Sequence, residues 1–535
     1  MPRYDYRPFP YRKPAGIGGV AAHHPVVIVG AGPVGLAAAI DCALHGVRCV
    51  VLDDNDVVSL GSRAICWSKR TLEIFDRLGV GERMVEKGVT WKVGRLFHRD
   101  REVWSFDLLP EAGHKMPAFI NLQQYYVEQY LVERAMEFPG LIDLRWKNRV
   151  IGITPRADGV AVSVETPDGP YSLEAGWLIA CDGARSAVRG MMGLDFAGRV
   201  FEERFLIADV EMQADFPSER WFWFEPPFHK GQSALLHKQP DNIYRIDLQL
   251  GWDANPDEEK KPENVIPRIE KVIGHSDFEL DWVSVYTFQC RRLERFAHGR
   301  VVFAGDSAHI VSPFGARGGN GGIQDVDNLV WKLAMVLRGD APESLVATYD
   351  EERIHGADEN ILNSSRATAF MTPKTHMERI FRDSVLDLAG GHDFARRLVN
   401  SGRLSKPCSL DGMSLQTPAS GGGVKPGEAM PDAPVENGAA GWLLNHVGGR
   451  FAVLAVETDL PETPQGVDRI VVTGDRDRRV KDATVLTDTE GLVAARYGTG
   501  NVYLLRPDQH VAARFAAPRA GDVAKALMRA KGGAA

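Results

Sequence analysis

Val26-Val-Ile-Val-Gly30-Ala-Gly32-Pro33-Val-Gly35-Leu36 is the stretch whose reading decides how the chain is organised. Its four leading β-branched residues form a buried strand, and the glycines at 30, 32 and 35 follow with G-x-G-x-x-G spacing. The first glycine makes a tight turn, the second lets backbone approach a pyrophosphate, and the third lets helix pack closely on strand. A helix over 34–45 comes next, with Gly46 placed to cap it. A second strand, Val47-Arg-Cys-Val-Val-Leu52, then ends at Asp53, 18 residues after Gly35, where a carboxylate accepts hydrogen bonds from a ribose diol. Phosphate oxygens would rest on the free N–H groups of the helix start, whose dipole favours negative charge. The stretch therefore predicts a complete dinucleotide-binding βαβ unit at the head of an α/β chain.

With 535 residues the chain exceeds what one core supports, and about three domains are expected. A 44% hydrophobic and 25% charged composition is that of an ordinary globular protein. The net charge of −8 argues against nucleic acid or an anionic membrane as main partner, and no apolar run reaches the length of a membrane span. Six cysteines lie scattered without C-x-x-C or metal-ligand spacing, the pattern of buried free thiols in a reducing cytoplasm. Residues 1–24 set Arg3, Arg7, Arg12 and Lys13 among prolines and aromatics with no apolar core, and predict an extended arm.

Beyond Asp53, Arg63 leads a loop from which it can reach a diphosphate opposite the helix dipole; a solvated arginine is the alternative. The helix expected over 122–138 carries Gln124, Glu128 and Leu131 at i, i+4 and i+7. A strand ending at Cys181 leads into Asp182-Gly183-Ala-Arg185, at the carboxyl end where open α/β sheets bind ligands. Residues 200–290 are β-rich and aromatic. Within them Tyr244, Ile246, Leu248 and Leu250 point one way while Arg245, Asp247 and Gln249 point the other, as expected of a half-buried sheet or of a substrate wall. Next, Gly299-Arg-Val-Val-Phe-Ala-Gly305-Asp306 is a strand stopping at a Gly-Asp turn. The loop Pro313-Phe-Gly-Ala-Arg-Gly-Gly319-Asn320-Gly-Gly322 feeds a helix expected over 323–338, whose start is suited to negative charge on a ring lying across it. Helical text runs from 344 to 401 and a linker from 418 to 434. Strands at 450–456, 469–472 and 502–505 with a helix at 520–531 predict a small α/β domain.

The ordered series Gly30-x-Gly-x-x-Gly35, Asp182-Gly183 and Gly305-Asp306 resembles the single-component FAD-dependent aromatic hydroxylases, the p-hydroxybenzoate hydroxylase-like monooxygenases. The likeness is to the branch with phenol, pentachlorophenol and 3-(3-hydroxyphenyl)propionate hydroxylases, and it covers residues 25–410. It implies an α/β architecture: a Rossmann-like FAD-binding domain over 25–199 and 291–410, interrupted by a β-rich substrate domain over 200–290. Residues 411–535 resemble the thioredoxin-like domain of that branch without its C-x-x-C, which leaves a structural or dimerisation role. By the same resemblance Gly30, Gly32, Pro33, Gly35 and Asp53 hold the ADP half of FAD, and Arg63 lies near its diphosphate. Gln124 heads a Q-x-x-ψ-E-x-x-L helix that contacts FAD. Asp182 and Gly183, with Arg185 nearby, serve FAD and the nicotinamide cofactor, and Gly305 with Asp306 holds the ribityl chain. The family loop usually reads P-x-x-G-x-G-x-N-x-G, and here Arg317 and Gly319 stand at positions often held by other residues, which leaves its local shape open.

The chemistry so implied is reduction of FAD by NADPH or NADH, addition of O₂ to give a flavin C4a-hydroperoxide, and oxygen transfer to a small aromatic substrate bearing a hydroxyl or amino group, as in aromatic catabolism. The cofactor carries that reaction, so neither a metal nor a Ser-His-Asp set is expected. Backbone N–H groups around Gly319, Asn320 and Gly321 are assigned to the anionic flavin, with Pro313 shaping the loop beside it. His237, Tyr244, Arg245 and Tyr286 are candidates for ionising a substrate phenol, with packing as the alternative for each. His309 reads as a structural hydrogen-bonding residue. One dinucleotide fingerprint without a redox cysteine pair separates the chain from disulfide reductases. A cytoplasmic homodimer is expected. Two competing readings are a flavin-dependent halogenase, since Trp221-Phe-Trp-Phe-Glu-Pro226 approaches W-x-W-x-I-P with Glu225 in place of isoleucine, and a non-catalytic FAD-binding protein.

Overall fold

The computed structural model describes residues 4–251, 253–313, 315–399, 406–419 and 421–533, apart from the side chains of Arg199, Phe201 and Glu202. Arg3 of the arm, Phe314 of the glycine loop and the end of the helical text at 400–401 lie outside them. The strand Ala22–Val29 runs parallel to Cys49–Leu52 on one side and Tyr171–Ala180 on the other. Ile142–Arg145 extends this sheet parallel beyond the first, and Val301–Phe303 parallel beyond the second. Val26 to Val29 and Cys49 to Leu52 are all buried, as a parallel strand covered on both faces requires. Gly30 turns the chain at φ +102° into the helix Pro33–Leu44. A Cβ on Gly35 would stand 1.9 Å from the Gly30 carbonyl oxygen, so only glycine permits this approach of helix to turn.

The second sheet is antiparallel over most of its width. Its order is His309–Ile310, Glu279–Arg292, Ala197–Glu211, Ile243–Leu250, Ser233–Lys238, Arg220–Phe224, Val93–His98 and Arg101–Asp107. The last two strands precede residue 200, so the sheet draws on chain outside 200–290. Tyr244, Ile246, Leu248 and Leu250 pack on Val265 and Ile269 of the helix Pro262–Ile273. Cross-strand register sets the opposite face in rows. Arg220, His237, Arg245, Asp209 and Trp282 form one, and Phe222, Leu235, Asp247, Ile207 and Ser284 the next. Phe224, Ser233, Gln249, Phe205 and Tyr286 follow, and the apolar members of this end are covered by Met371 and Leu386 of two long helices, Ser344–Met371 and His376–Ala389.

The helix expected to begin at Ile323 begins at Gly318 and runs to Arg338. Glycine's poor helix propensity is overridden by packing: a Cβ on Gly322 would meet Val34 Cγ2 at 2.7 Å and Gly305 Cα at 3.0 Å. The glycine run thus lets the two loop-fed helices and the Gly305 turn share one small volume. After residue 406 the chain builds a separate seven-stranded sheet. Ala452–Val456 and Asp468–Thr473 are parallel, a Val502–Leu505/Val511–Phe515 hairpin runs antiparallel to them, and the helix Asp522–Ala530 follows, a thioredoxin-like arrangement. One face of it packs on Trp331, Met335 and Leu345 of the preceding helices.

Candidate functional site

The segment from Ser62 to Ser68 joins the two walls of a cleft. Toward the second sheet, Ser62 Oγ contacts Asp209 and Arg245, the Arg63 carbonyl accepts from Arg245 Nη1 at 2.7 Å, and Cys66 Sγ lies 4.0 Å from His237 Nδ1. Toward the first sheet, Ala64 and Trp67 lie against Gly319, and Ser68 N donates to Asn320 Oδ1 at 2.9 Å. On the far side, the strand His309–Ile310 pairs with Arg291 and Arg292 before the loop enters the Gly318 helix. The cleft therefore lies between the glycine turns and the inner face of the second sheet.

The first wall has the features of a phosphate and polyol cradle. The Pro33–Leu44 helix starts with no side-chain cap and no acidic residue, and a Cβ on Gly32 would meet nothing within 4 Å. Its free N–H groups face open space, as an anion site requires. Asp53 accepts from Ala31 N at 2.6 Å and Asn55 N at 2.9 Å, which ties the second strand's end to the glycine turn. Arg63 is exposed, with φ +37°, and its guanidinium has no partner among the described residues. Gln124 Oε1 accepts from Ala64 N at 3.2 Å, while its Nε2 donates to Ser59 Oγ and Glu128 Oε1, so it fixes the loop that presents Arg63. Asp182 accepts from Val188 N at 3.0 Å through one oxygen, and its other oxygen is buried without a partner. Gly183 has φ +76°, and Arg185 is exposed.

Asp306 is exposed to the cleft yet surrounded by protein, a setting that pushes its carboxyl upward. A Cβ on Gly318 would lie 4.0 Å from its Oδ1, which puts the carboxylate beside the helix start. Beneath it, Asp325 accepts from Gly305 N at 2.9 Å, His309 Nε2 at 2.7 Å and Arg353 Nε at 2.7 Å. His309 and Arg353 hold the Asp325 carboxyl below its usual range against the cost of burial, and this cluster fixes the Gly-Asp turn. The first intrahelical bond is Gly321 N to the Arg317 carbonyl, so the free donors belong to Gly318, Gly319 and Asn320, and Gly321's is spent. Asn320's side chain is committed too: Nδ2 donates to Cys66 O and Ala316 O. Pro313 is exposed in the loop.

On the second wall the structure sorts the four residues offered as a base. Tyr244 stands on the outer face and donates to Ala214 O at 2.8 Å, because strand alternation turns it away from the cleft. Arg245 is on the inner face and bonded to Asp209, Ser62 and the Arg63 carbonyl, so it anchors the segment. His237 is buried and held well below its ordinary pKa by burial and by Arg220 and Arg245. Tyr286 lies toward the sheet edge, 38% exposed. Two residues outside that set face the cleft unpaired. Asp247 Oδ1 is buried with no hydrogen-bond partner, and the part-buried Arg220 makes no hydrogen bond or ion pair among the described residues. An aspartate within Ile243-Tyr-Arg-Ile-Asp-Leu-Gln-Leu250, set off from the alternating apolar residues, was the signal available in the sequence.

Uncapped helix starts, an orphan carboxylate oxygen and an exposed aspartate at the second turn together suit a dinucleotide cofactor. The fold and cleft define a flavin-type oxidoreductase built on one dinucleotide-binding unit. A family model described as FAD binding domain matches residues 23–364, and the chain belongs to that family. A flavin-dependent monooxygenase of Mycobacteroides abscessus is 34% identical over 350 residues, covering 62% of this chain and 71% of its own. A 3-(3-hydroxy-phenyl)propionate/3-hydroxycinnamic acid hydroxylase of Mycolicibacterium smegmatis is 28% identical over 94% of this chain and 92% of its own. Among solved structures, aklavinone-11 hydroxylase with FAD and aklavinone superposes with a TM-score of 0.74 at 25% identity, covering 95% of this chain and 99% of that one. The p-nitrophenol 4-monooxygenase PnpA of Pseudomonas putida DLL-E4 gives 0.65 at 26% identity, covering 72% and 99%. The chain is an FAD-dependent monooxygenase. No helix among its described residues is long and apolar enough to cross a membrane.

Proposed function

We propose that this enzyme hydroxylates a phenolic or amino-substituted aromatic ring with NAD(P)H and O₂, as the names of its relatives suggest. The observation that carries the reading is the two-walled cleft, dinucleotide turns on one side and a sheet face with unpaired charge on the other. Bound FAD supplies the activation of dioxygen and the oxygen transfer. Gly30, Gly32, Pro33 and Gly35 hold its diphosphate on the helix start, with Arg63 as counter-charge and Asp53 on the ribose. Gly305 and Asp306 hold the polyol, and the N–H groups of Gly318, Gly319 and Asn320 take up negative charge on the ring. Asp182, Gly183 and Arg185 would serve the incoming nicotinamide cofactor. Pro313 and its loop close the ring's edge, and Trp67 keeps water from the helix start.

Trp221 and Trp223, the basis of a halogenase reading, make ring contacts with Phe97, Phe216 and Phe228 on the outer face, away from the cleft. The helices His376–Ala389 and Asp393–Val399 expose Met377 (71%), Phe381 (57%) and Phe394 (56%), an apolar stripe suited to a homodimer working in the cytoplasm. Light scattering that returns a monomer would remove the dimer. For the activity, the purified yellow protein is screened with phenols, aminophenols and hydroxybenzoates for stimulated NAD(P)H consumption. A product heavier by one oxygen is expected. Flavin binding with no compound stimulating oxidation would leave a non-catalytic protein, and halide-dependent turnover with a separate reductase would leave a halogenase.

A further inference from the structure

We propose that Asp247 accepts the ring-hydroxyl proton of the substrate and that Arg220 holds the phenolate so formed, an inference that rests on the hydroxylase reading above. Both residues stand on the cleft face of the second sheet. Arg220 opposes His237, and Asp247 lies one row along, opposite Leu235 and Ile207. Phe222 completes that row, so the carboxylate is the polar member of an otherwise largely apolar strip suited to a flat ring. One row away Arg245, Asp209 and Ser62 satisfy one another. Asp247 and Arg220 have no such partners. An orphan carboxylate oxygen and a free guanidinium on one wall call for a ligand that supplies both a donor and, after giving up its proton, an anion.

The ionisable groups around Asp247 are Arg245 on its own strand, Arg220, Asp209, His237 and Cys66. His237 fails as the base, because its protonated form would stand between Arg220 and Arg245. Burial pushes the Cys66 thiol up to about 11. Burial likewise pushes the Asp247 carboxyl up to about 6, outweighing Arg245, and a base poised there works near neutral pH. In the step itself the phenol O–H bond breaks, an O–H bond forms on Asp247, and no electrons change hands. The anion facing Arg220 passes from carboxylate to phenolate, which enriches the ring for attack. Once oxygen has been transferred, Asp247 returns its proton to the product oxygen.

The test compares flavin-loaded wild type with Asp247→Asn, Asp247→Glu and Arg220→Gln, using phenol, 4-nitrophenol and 3-(3-hydroxyphenyl)propionate. Without turnover, phenol binding is followed by perturbation of the flavin spectrum between about pH 5 and 8. Wild-type affinity is expected to fall several-fold as Asp247 takes a proton at the acid end, and the Asn variant to give a flat profile. In turnover, Asp247→Asn is expected to lower product formation at neutral pH by about 10²-fold and to recover as pH ionises the phenol directly, with Asp247→Glu within about tenfold of wild type. Arg220→Gln is expected to weaken phenol binding about tenfold. An Asn variant with the wild-type rate and pH profile overturns the inference while leaving the hydroxylase reading intact. If no compound is bound or hydroxylated by wild type, the hydroxylase reading fails first and this inference falls with it.

Discussion

Two of the places where the molecule holds charge away from bulk water treat it in opposite ways. Between the Gly318 and Ser344 helices and the C-terminal sheet, Lys332, Glu352 and Arg506 have no exposure at all. Glu352 nevertheless accepts from Lys332 Nζ at 2.7 Å, Arg506 Nη1 at 2.5 Å, Asn328 Nδ2 at 2.7 Å and Gln416 Nε2 at 3.1 Å, and Arg506 continues to Asp508. Nearby, Arg70 bonds Asp327, Gln509 and the Asp508 carbonyl. In the cleft, Asp247 Oδ1, Arg220 and one oxygen of Asp182 have no partner among the described residues, and Asp306 is exposed. Desolvation costs are similar in kind at both places, but only the seam offsets them with internal bonds. Buried charge that is fully bonded is architecture; buried charge left unbonded is held for a ligand.

The contrast is broken most directly at the seam. Arg506→Met leaves Glu352 with Lys332 as its one cation, and the loss should be about 3–5 kcal/mol, seen as a lower denaturation midpoint and detachment of the C-terminal sheet in hydrogen exchange. Loss below about 1 kcal/mol would mean that the network is dispensable. Glu352 and Asp508 are both held below their ordinary range by their cations despite burial. A depressed carboxyl contributes stability that is complete above its unfolded pKa and fades as pH falls toward its folded one, so the seam should hold until pH drops below about 4. Next in size, Asp306→Ala should weaken flavin retention by about 2–3 kcal/mol, roughly 30–150-fold, in a protein whose circular dichroism is unchanged. Full flavin occupancy in that variant would remove Asp306 from the site.

How much of this was legible in advance follows the range of the interactions. The Val26-to-Asp53 unit and the strand into Gly305-Asp306 carry local glycine-turn patterns that announce them; the helix and second strand stand within two residues of where the sequence sets them, while the first strand begins four residues earlier, at Ala22, through its pairing with Tyr171–Ala180. The Gly318 start was not legible: propensity forbids helix there, and the reason it forms, Val34 and Gly305, lies far away in the chain. Strand alternation correctly separated Tyr244 from Arg245, yet gave no hint which face meets the cleft, and so Tyr244 stood among the candidates. Telling Arg245 from Arg220 needs the long-range partners Asp209 and Ser62, which no local pattern shows. The seam was invisible for the same cause, since Arg506 lies 154 residues from Glu352.

The smallest effect is the most discriminating, because its sign differs between the two places. Asp247's folded pKa of about 6 lies above the ordinary aspartate value, so the folded protein binds its proton more tightly than the unfolded chain does. Above pH 6 the carboxylate therefore carries its full cost in stability; the cost shrinks as pH falls below 6 and is gone only below the ordinary aspartate pKa, about 4. Asp247→Asn removes the charge without changing size and should stabilise the protein by about 1–2 kcal/mol at pH 7.5, with the difference from wild type roughly halved near pH 5 and closing near pH 4. Neutralising Glu352 in the seam should instead destabilise at pH 7.5 and pH 5 alike, since Arg506 and Lys332 then lose their anion. Thermal melts of Asp247→Asn and Glu352→Gln at the two pH values read this directly. If Asp247→Asn melts lower than wild type at pH 7.5, Asp247 is paired as the seam residues are, and the claim that unbonded charge marks the substrate wall does not hold.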